Sequence, residues 1–279
     1  MIPYSPDEDE LELARVQLKF SKNQVDAAGK AIIQKELSSD CYEHALEVIS
    51  NWRATHNLPL VSIRKVLTMR AKRIDPNALV VHRIKRLPAI KLKLEIMKEL
   101  KLSRMQDIGG CRVILKSSKD VNKLFLGFIE SPLSHHLHNF DDYIMDKPKS
   151  SGYRGIHLIY RFHSDTYQEY QNLRIEMQLR SIIQHAWATA VEIVDTFTQQ
   201  ALKSNIGKAD WKRFFQLMGG ALALTEGTTP VPNTPTEWDT LVKESREYAI
   251  KLDVMNALMA FGQVATSFAE RIIQPNKYY

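Results

Sequence analysis

Charged and aromatic residues alternate with apolar ones in and beside three predicted strands. Side chains two positions apart share a face of a strand. The polar positions are Arg83, Lys85, Tyr153, His157, Arg174, Glu176, Gln178 and Arg180. Cations of this kind hold phosphates, a carboxylate binds Mg²⁺, and an aromatic ring stacks on a nucleobase. Each face alone has a simpler explanation as the solvated side of a sheet, but three together favour a shared polar cavity suited to polyphosphates.

A second acid, Asp107, lies just before two glycines and a short β-branched strand, in DIGGCRV (107–113). Glycine lets the backbone come close to a ligand, and an acid at a strand edge is a natural metal ligand. With Glu176 it supplies the two carboxylates that Mg²⁺ often takes beside substrate phosphates. For Asp107 alone, an Asx turn is an equally good explanation.

The elements that must position these residues form a mixed α/β (α+β) core between helical flanks. Strands are predicted at 79–85, 111–115, 138–145, 155–162 and 172–180. Helices are predicted at 7–39, 41–56, 60–74, 88–100, 118–130, 181–202 and 237–272, with Ser118 as the N-cap of the fifth. The Pro/Thr-rich stretch 225–239 is predicted to be a loop. This pattern indicates an N-terminal helical region (1–78), a core (79–203) and a C-terminal helical extension (204–279).

The composition is that of an ordinary globular protein: 279 residues, 44% hydrophobic and 25% charged. Two cysteines are too few for a disulfide framework or a zinc site, which favours a reducing, cytoplasmic setting. The sequence shows no signal peptide and no apolar run long enough for a membrane span. A formal net charge of +6 favours a phosphate-rich partner, nucleotide or nucleic acid, although surplus surface lysine explains it almost as well.

Two motifs in the first half of the core resemble those of the synthetase domain of RelA/SpoT-type alarmone synthetases. RIKRLPAIKLK (83–93) resembles the ATP-binding pattern R-x-K-x-x-x-S-I-x-x-K, with Arg83, Lys85 and Lys93 in place and Ala89 where the family has serine. DIGGCRV resembles D-I-x-G-x-R-V, which contains Asp107 and Arg112.

Two further motifs follow in the family order, so that the resemblance spans about residues 79–195. The segment 141–157, DDYIMDKPKSSGYRGIH, resembles the acceptor-binding pattern D-Y-I-x-x-P-K-x-N-G-Y-R-S-x-H. Ser151 and Gly155 depart from its asparagine and serine. The residues that match are Lys149, Tyr153, Arg154 and His157. IEMQLRS (175–181) resembles V-E-[IV]-Q-I-R-T and carries Glu176 and Gln178.

The resemblance implies a nucleotidyltransferase-like sheet of about five strands and an ATP pyrophosphokinase activity. Asp107 and Glu176 would bind Mg²⁺, and Glu176 is also the candidate general base. The implied ATP-binding residues are Arg83 and Arg112, stacked on adenine, with Lys85 and Lys93 on the phosphates. The implied acceptor-binding residues are Lys149, Tyr153, Arg154, His157 and Gln178, with flexibility in KSSG (149–152) letting their loop close.

The acceptor stays open at this stage. The first candidate is GDP or GTP, which gives (p)ppGpp; the second is the 3′ CCA end of tRNA or an adenine nucleotide, as in toxic relatives. A basic cluster could grip tRNA or could be a solvated helix face: Arg64, Lys65, Arg70, Lys72 and Arg73. A third candidate, a catalytically dead nucleotide sensor, is disfavoured because both carboxylates and Tyr153 are present.

Other signals are less informative. The chain contains no His-Asp dipeptide, so a family hydrolase domain is not expected. We expect a small synthetase with a single domain instead. His135, His136 and His138 fit no standard zinc motif and are predicted to lie in a solvent-facing loop. The C-terminal helix is expected to pack on the core or on a partner, either an antitoxin or a second copy.

Overall fold

The computed structural model describes residues 8–34, 36, 38–198, 209–254 and 256. The chain forms two compact units: residues 1–141 with 156–181, and residues 142–155 with 182–279. The first unit joins the N-terminal helices to the sheet, and the second joins the connection between the third and fourth strands to the C-terminal helices. The division at 78/79 and 203/204 stays a prediction, since the two units divide the chain at other points.

A five-stranded mixed sheet lies in the order β1-β2-β5-β4-β3. The strands are β1 (Leu79–Ile84), β2 (Gly109–Leu115), β3 (His136–Asp142), β4 (Ile156–Arg161) and β5 (Arg174–Ser181). β2 and β5 are parallel, while β1 with β2 and β4 with β5 are antiparallel. Each strand lies within a few residues of its predicted position. The predicted mixed α+β fold is confirmed.

The helices of the first unit bury the apolar face of the sheet. They are α1 (Glu8–Leu13), α2 (Lys22–Ala31), α3 (Ser39–Ala54), α4 (Asn57–Ile74), α5 (Leu87–Ile96) and α6 (Ser118–Glu130). α4 and α6 contact the central strands. Leu158 and Met177 on those strands are fully buried, as the alternation of residue types predicts. The opposite face keeps the polar side chains.

The single helix predicted over 7–39 is wrong, because residues 14–21 run between α1 and α2 without helical structure. Ser21 caps α2 in a reciprocal capping box with Gln24. The Tyr170 hydroxyl accepts from the N–H of Val16 (3.2 Å) and donates to its carbonyl (2.7 Å). The N–H of Lys19 donates to the Asn51 side chain (3.1 Å). Tertiary hydrogen bonds thus replace those of a continuous helix.

Two smaller boundaries also differ from the sequence-based prediction. The N-cap of α6 is Ser117, whose hydroxyl accepts from the N–H of Asp120, rather than Ser118. α5 ends at Ile96 instead of 100, since Met97 leaves the helical conformation. Neither shift moves a predicted site residue out of its element.

The second unit is built around an aromatic cluster. Its helices are α7 (Ile182–Thr198), α8 (Ala209–Glu226) and α9 (Trp238–Lys251). Trp211, Phe214 and Phe215 of α8 pack against Val191 and Val194 of α7. α9 ends at Lys251, so the helix predicted over 237–272 is interrupted at Leu252 and Asp253. Residues 199–202 and 257–272 of the predicted helices lie outside the described residues, and no described helix is long and apolar enough to cross a membrane.

His56, below the first glycine of β2, makes the stability of the first unit depend on pH. Its Nδ1 lies 2.7 Å from the Trp52 carbonyl oxygen, and a Cβ on Gly109 would lie 3.3 Å from its Cβ. Burial lowers the pKa of His56 from 6.5 to about 4. The unfolded chain therefore takes up a proton near pH 6.5, which the native chain takes up only near pH 4.

We expect this histidine to remove up to about 3 kcal/mol of stability as the pH falls from 7 to 4. Denaturant unfolding of wild type and His56→Gln at pH 7 and pH 4.5 measures the difference. The variant should lose less stability than wild type over this interval, because it lacks the group that must charge. Equal losses in both proteins would contradict the assignment.

Candidate active site

The sheet register brings the predicted polar residues onto one face. Arg83 lies opposite Gly110, and Gly110 lies opposite Glu176. In the neighbouring row, Gln178 lies between Arg112 on β2 and His157 on β4. Residues of these two rows have the same parity and share the face that α4 and α6 leave open. The residues brought together are Arg83, Arg112, His157, Glu176 and Gln178.

A hydrogen-bonded chain fixes Glu176. Arg112 Nε donates to Gln178 Oε1 (3.1 Å), and Gln178 Nε2 donates to Glu176 Oε2 (2.7 Å). The other carboxylate oxygen lies 3.0 Å from His157 Nδ1. Burial acts to raise the pKa of Glu176, but the bond and charge of His157 outweigh it and hold the pKa below its ordinary value. Glu176 is therefore ionised at neutral pH and held by partners on both sides.

Arg180 joins this chain, although the sequence motifs gave it no role in the site. Its Nη2 donates to Gln178 Oε1 (3.0 Å), the atom that also accepts from Arg112. The signal was present, since Arg180 has the same parity as Glu176 and Gln178 in β5. Two guanidinium groups thus orient the amide of Gln178, which in turn orients the carboxylate.

Asp107 lies between two lysines from neighbouring elements. Lys85 Nζ is 2.9 Å from one carboxylate oxygen, and Lys93 Nζ is 2.8 Å from the other. Lys85 follows β1 directly, and its N–H bonds to the Ile108 carbonyl (2.7 Å). Lys93 lies on α5, whose residue Ile90 is fully buried. The spacing of Lys85 and Lys93 in the ATP-binding motif therefore lets both lysines contact Asp107.

The two predicted metal ligands lie within electrostatic range of each other. The charge of Asp107 acts to raise the pKa of Glu176. Burial acts to raise the pKa of Asp107 itself, but Lys93 and Lys85 outweigh it, so that pKa lies below its ordinary value. Among the described residues, no group of three or more His, Cys, Asp or Glu side chains is arranged to hold a metal alone. Any metal here would need further oxygen ligands from water or a substrate.

In the second unit, the acceptor-motif residues form a cation–aromatic cluster. Lys149 Nζ lies 3.9 Å from the Tyr143 ring centroid and 5.2 Å from that of Tyr153. The Tyr153 ring meets Tyr143 and Trp187 edge-on, at centroid distances of 5.8 and 6.1 Å. Trp187 is itself fixed by a bond from its indole N–H to the Phe215 carbonyl (2.9 Å). The cluster therefore places the positive charge of Lys149 beside the aromatic rings of Tyr143 and Tyr153.

The flexibility expected of KSSG does not extend to Gly152. Its φ of 87° is in the region that favours glycine. A Cβ on Gly152 would lie 2.6 Å from the Phe215 carbonyl oxygen, and a Cβ on Gly219 would overlap the backbone of Gly152. Two glycines therefore let this loop lie directly against α8, which anchors it.

Arg154, predicted to bind the acceptor, is 1% exposed. Its Nη2 donates to the Ile144 carbonyl and the Thr228 hydroxyl, both at 2.6 Å. We therefore assign Arg154 to positioning the loop and correct the predicted acceptor contact. Sequence matching could not separate the two roles, because both need an arginine at this position of the motif.

Two other sequence-based expectations change in the first unit. His135 is buried, with its ring between the Ser62 hydroxyl (3.2 Å) and the His163 carbonyl (3.0 Å), so the prediction of a solvent-facing loop was wrong for this residue.

In the basic cluster of α4, Arg64 and Lys65 both bind Glu10 at 2.5 Å. Arg70 donates to the Gly127 carbonyl (2.9 Å) and lies over the Phe128 ring. Three of the five cations thus serve internal contacts, which disfavours an open tRNA-binding patch.

Comparison with protein families gives a match over the part of the chain that contains this site. Residues 82–194 match the model of the region found in RelA/SpoT proteins. The chain carries a RelA/SpoT region. The matched range begins one residue before Arg83 and extends beyond Glu176 and Trp187, so the family resemblance read from the four motifs is confirmed. No curated protein sequence matches the chain.

Solved structures support the same fold for the RelA/SpoT region and its surroundings. Small alarmone synthetase 2 from Bacillus subtilis has a TM-score of 0.53 at 17% identity, over 64% of this chain and 94% of the other. Small alarmone synthetase 1 from Bacillus subtilis, bound to its product pppGpp, has a TM-score of 0.51 at 18% identity, over 61% and 88%. At these identities the likeness shows the fold.

Proposed function

We propose that the chain is an ATP pyrophosphokinase that transfers the β,γ-pyrophosphate of ATP to the 3′-hydroxyl of GDP or GTP and releases AMP. The observation that carries the proposal is the arrangement on one sheet face within the RelA/SpoT region. There a fixed carboxylate, Glu176, lies within electrostatic range of Asp107 and its two lysines. Similarity of fold to a synthetase bound to pppGpp supports the choice of a guanine nucleotide.

The carboxylates fit a magnesium ion that arrives with substrate phosphates. Mg²⁺ is typically bound by one or two carboxylates, waters and phosphate oxygens, and Asp107 and Glu176 supply two carboxylates. Gly110 faces Glu176 without a side chain, and even a Cβ there would lie 4.0 Å from Glu176 Oε2. We propose that Asp107 and Glu176 hold Mg²⁺, which would neutralise charge on the transferred phosphates.

Two arginines are suited to hold the adenine of ATP. Arg83 and Arg112 lie on adjacent strands and are offset by one row, because Arg112 pairs with Val81. Diagonal neighbours of this kind are about 7–8 Å apart, which leaves room for one aromatic base between two guanidinium groups. Each cation–π contact is worth about 0.5–2 kcal/mol. When ATP binds, Lys85 and Lys93 would leave Asp107 and contact the ATP phosphates instead.

Positioning and charge neutralisation do most of the work in this mechanism, as in phosphoryl transfer generally. Glu176 is held on both oxygens, so it can accept a hydrogen bond from the acceptor hydroxyl in one fixed direction. Its lowered pKa makes it a weak base. It therefore orients the hydroxyl first and takes the proton as the bond from the 3′-oxygen to the β-phosphorus forms and the bond from that phosphorus to the AMP oxygen breaks.

Three of the five acceptor-binding candidates keep their roles, and two take other roles. Tyr153 offers a ring for the acceptor base, and Lys149 and His157 offer charge for its phosphates. Gln178 orients Glu176, and Arg154 positions the loop through Ile144 and Thr228. Partners such as an antitoxin or a second copy, and a cytoplasmic location, stay predictions.

One experiment tests the proposal and its alternatives. Purified protein is incubated with γ-labelled ATP, Mg²⁺ and one acceptor at a time: GDP, GTP, ATP or deacylated tRNA. We expect AMP release with label on GDP or GTP. Label on tRNA alone would replace the guanine nucleotide with the toxic-type reaction, and no AMP release with any acceptor would overturn the proposed activity.

A further inference from the structure

Three arginines and a histidine meet at one end of the sheet, outside the residues assigned above. Arg161 of β4 lies directly opposite Arg174 of β5. Arg161 Nη2 lies 3.3 Å from Nε2 of His138 on β3. Arg174 Nη1 donates to the main-chain carbonyl of Arg104 (2.5 Å), which ends the short helix before β2. We call Arg104, Arg161 and Arg174 the arginine cluster.

Within the described part of the chain, no acidic side chain balances the charge of the arginine cluster. Among the described residues, none of its three members forms an ion pair with an aspartate or a glutamate. Like charges directly opposite each other in a sheet are destabilising, and here the second arginine faces the first. Burial first, and then the charges of Arg161 and Arg174, lower the pKa of the adjoining His138. Positive charge is therefore concentrated here without a carboxylate partner among the residues that the structure describes.

The cluster lies on the same face as the catalytic candidates. Arg174 is two residues before Glu176 on β5, and Arg161 is two residues after Ile159, the β4 residue opposite Glu176. Two residues along a strand span about 7 Å. Arg161 and Arg174 therefore form the next row of the same face, beside the row that contains Glu176. Both are partly exposed, and Arg104 is exposed.

We propose that the arginine cluster is a polyphosphate-binding subsite that takes the 5′-polyphosphate of a nucleotide bound beside Glu176. The proposal rests on the function proposed above, because that function places a nucleotide at this face. Guanidinium groups bind phosphate oxygens in pairs with a fixed geometry. The charges of a di- or triphosphate lie within a few bonds of each other, whereas a polynucleotide carries one charge per phosphate along its strand. Three guanidinium groups in one place therefore suit a di- or triphosphate better than a polynucleotide.

Calorimetry with defined ligands tests the subsite. The ligands are tripolyphosphate, GTP, GMP, guanosine, a non-hydrolysable ATP analogue and deacylated tRNA, measured at one ionic strength because salt screens such contacts. The test variant is Arg161→Gln with Arg174→Gln. A charge-matched control is Arg246→Gln with Lys243→Gln, two exposed positions on α9. A charge-retaining control is Arg161→Lys with Arg174→Lys.

We expect the test variant to bind tripolyphosphate at least tenfold more weakly than wild type. We also expect its preference for GTP over GMP to shrink by a similar factor, with guanosine binding unchanged. The lysine variant should keep most of the affinity, and the α9 control all of it. A loss for GTP alone assigns the subsite to the acceptor, and a loss for the ATP analogue alone assigns it to the donor.

Three results would overturn the subsite. They are unchanged polyphosphate and nucleotide binding, a loss that affects guanosine equally, or a loss confined to deacylated tRNA. Thermal unfolding separates misfolding from lost contacts: if the glutamine variant unfolds early, the lysine variant and Arg161→Gln alone decide the matter, and normal binding by the single variant rejects the proposal.

The failure of this inference and that of the proposed function are distinguishable. Tripolyphosphate binding requires no catalysis. If AMP is released but the glutamine variant binds as wild type does, only the subsite fails. If no AMP is released while tripolyphosphate binding depends on the arginines, only the reaction fails.

Discussion

Glu176→Gln is expected to lower pyrophosphate transfer by about 10²–10⁴-fold, the range for loss of a general acid–base group. ATP affinity measured without Mg²⁺ should change little, because the proposed magnesium contact of Glu176 is then absent from both proteins. Glutamine keeps the size of the side chain and one acceptor oxygen, but it carries no charge and cannot take the hydroxyl proton. The adenine contacts of Arg83 and Arg112 do not involve the carboxylate. AMP release at saturating ATP with Mg²⁺ measures the first effect, and calorimetry with a non-hydrolysable ATP analogue without Mg²⁺ measures the second.

The matched control is Glu169→Gln, since Glu169 forms only a half-exposed ion pair with Arg15 (3.3 Å). This change should leave transfer within about twofold of wild type, because surface ion pairs contribute little. Retained AMP release in Glu176→Gln would reject Glu176 as the catalytic carboxylate. An equal loss in both variants would point to a general effect of charge instead.

The position of the sheet residues could be predicted from the sequence because β-structure has a period of two. Parity alone puts Glu176 and Gln178 on one face of β5 and His157 on the polar face of β4. Register then decides which of these residues meet, and register depends on pairing between strands whose residues Arg112 and Gln178 are 66 positions apart in the chain. The sequence therefore predicts the faces, while the hydrogen-bonded chain through Gln178 needs the fold.

Residues in loops were less predictable, because their roles depend on what packs beside them. Arg154 matches an acceptor motif, yet it is buried against a carbonyl and a hydroxyl from two other segments. Gly152 reads as a flexible position, but α8 lies against it through Gly219. No local pattern in KSSGYR indicates either partner, since α8 follows more than 50 residues later.

The arginine cluster also could not be predicted from the sequence, because its members come together only in the folded sheet. Arg161, Arg174 and His138 come from three strands, and each alone resembles a solvated strand residue. Their likeness in charge becomes informative only when the register places Arg161 opposite Arg174. Sequence reading put Arg174 on a polar strand face, but it could not connect that residue to Arg161 and His138 on the other two strands.

Asp107→Asn is expected to separate metal binding from phosphate binding. In wild type, the ionised carboxylate neutralises Lys85 and Lys93, whose contacts are 2.9 and 2.8 Å. Asparagine removes that charge, so the two ammonium groups should attract metal-free ATP more strongly. The same change removes a magnesium ligand. We therefore expect the variant to bind a non-hydrolysable ATP analogue without Mg²⁺ at least as tightly as wild type does, and to lose most of the gain from added Mg²⁺.

Transfer should fall by about 10²-fold or more in this variant, comparable to the loss of one preorganised electrostatic contact at a reacting centre. Asp165→Asn is the control, because the Asp165 side chain is fully exposed and its nearest charged partner, His163, is 3.9 Å away. The assignment holds if Asp107→Asn loses the effect of Mg²⁺ on analogue binding but keeps the binding measured without Mg²⁺. If Mg²⁺ improves analogue binding equally in wild type and Asp107→Asn, then Asp107 serves only to orient the two lysines, and the magnesium must be held elsewhere.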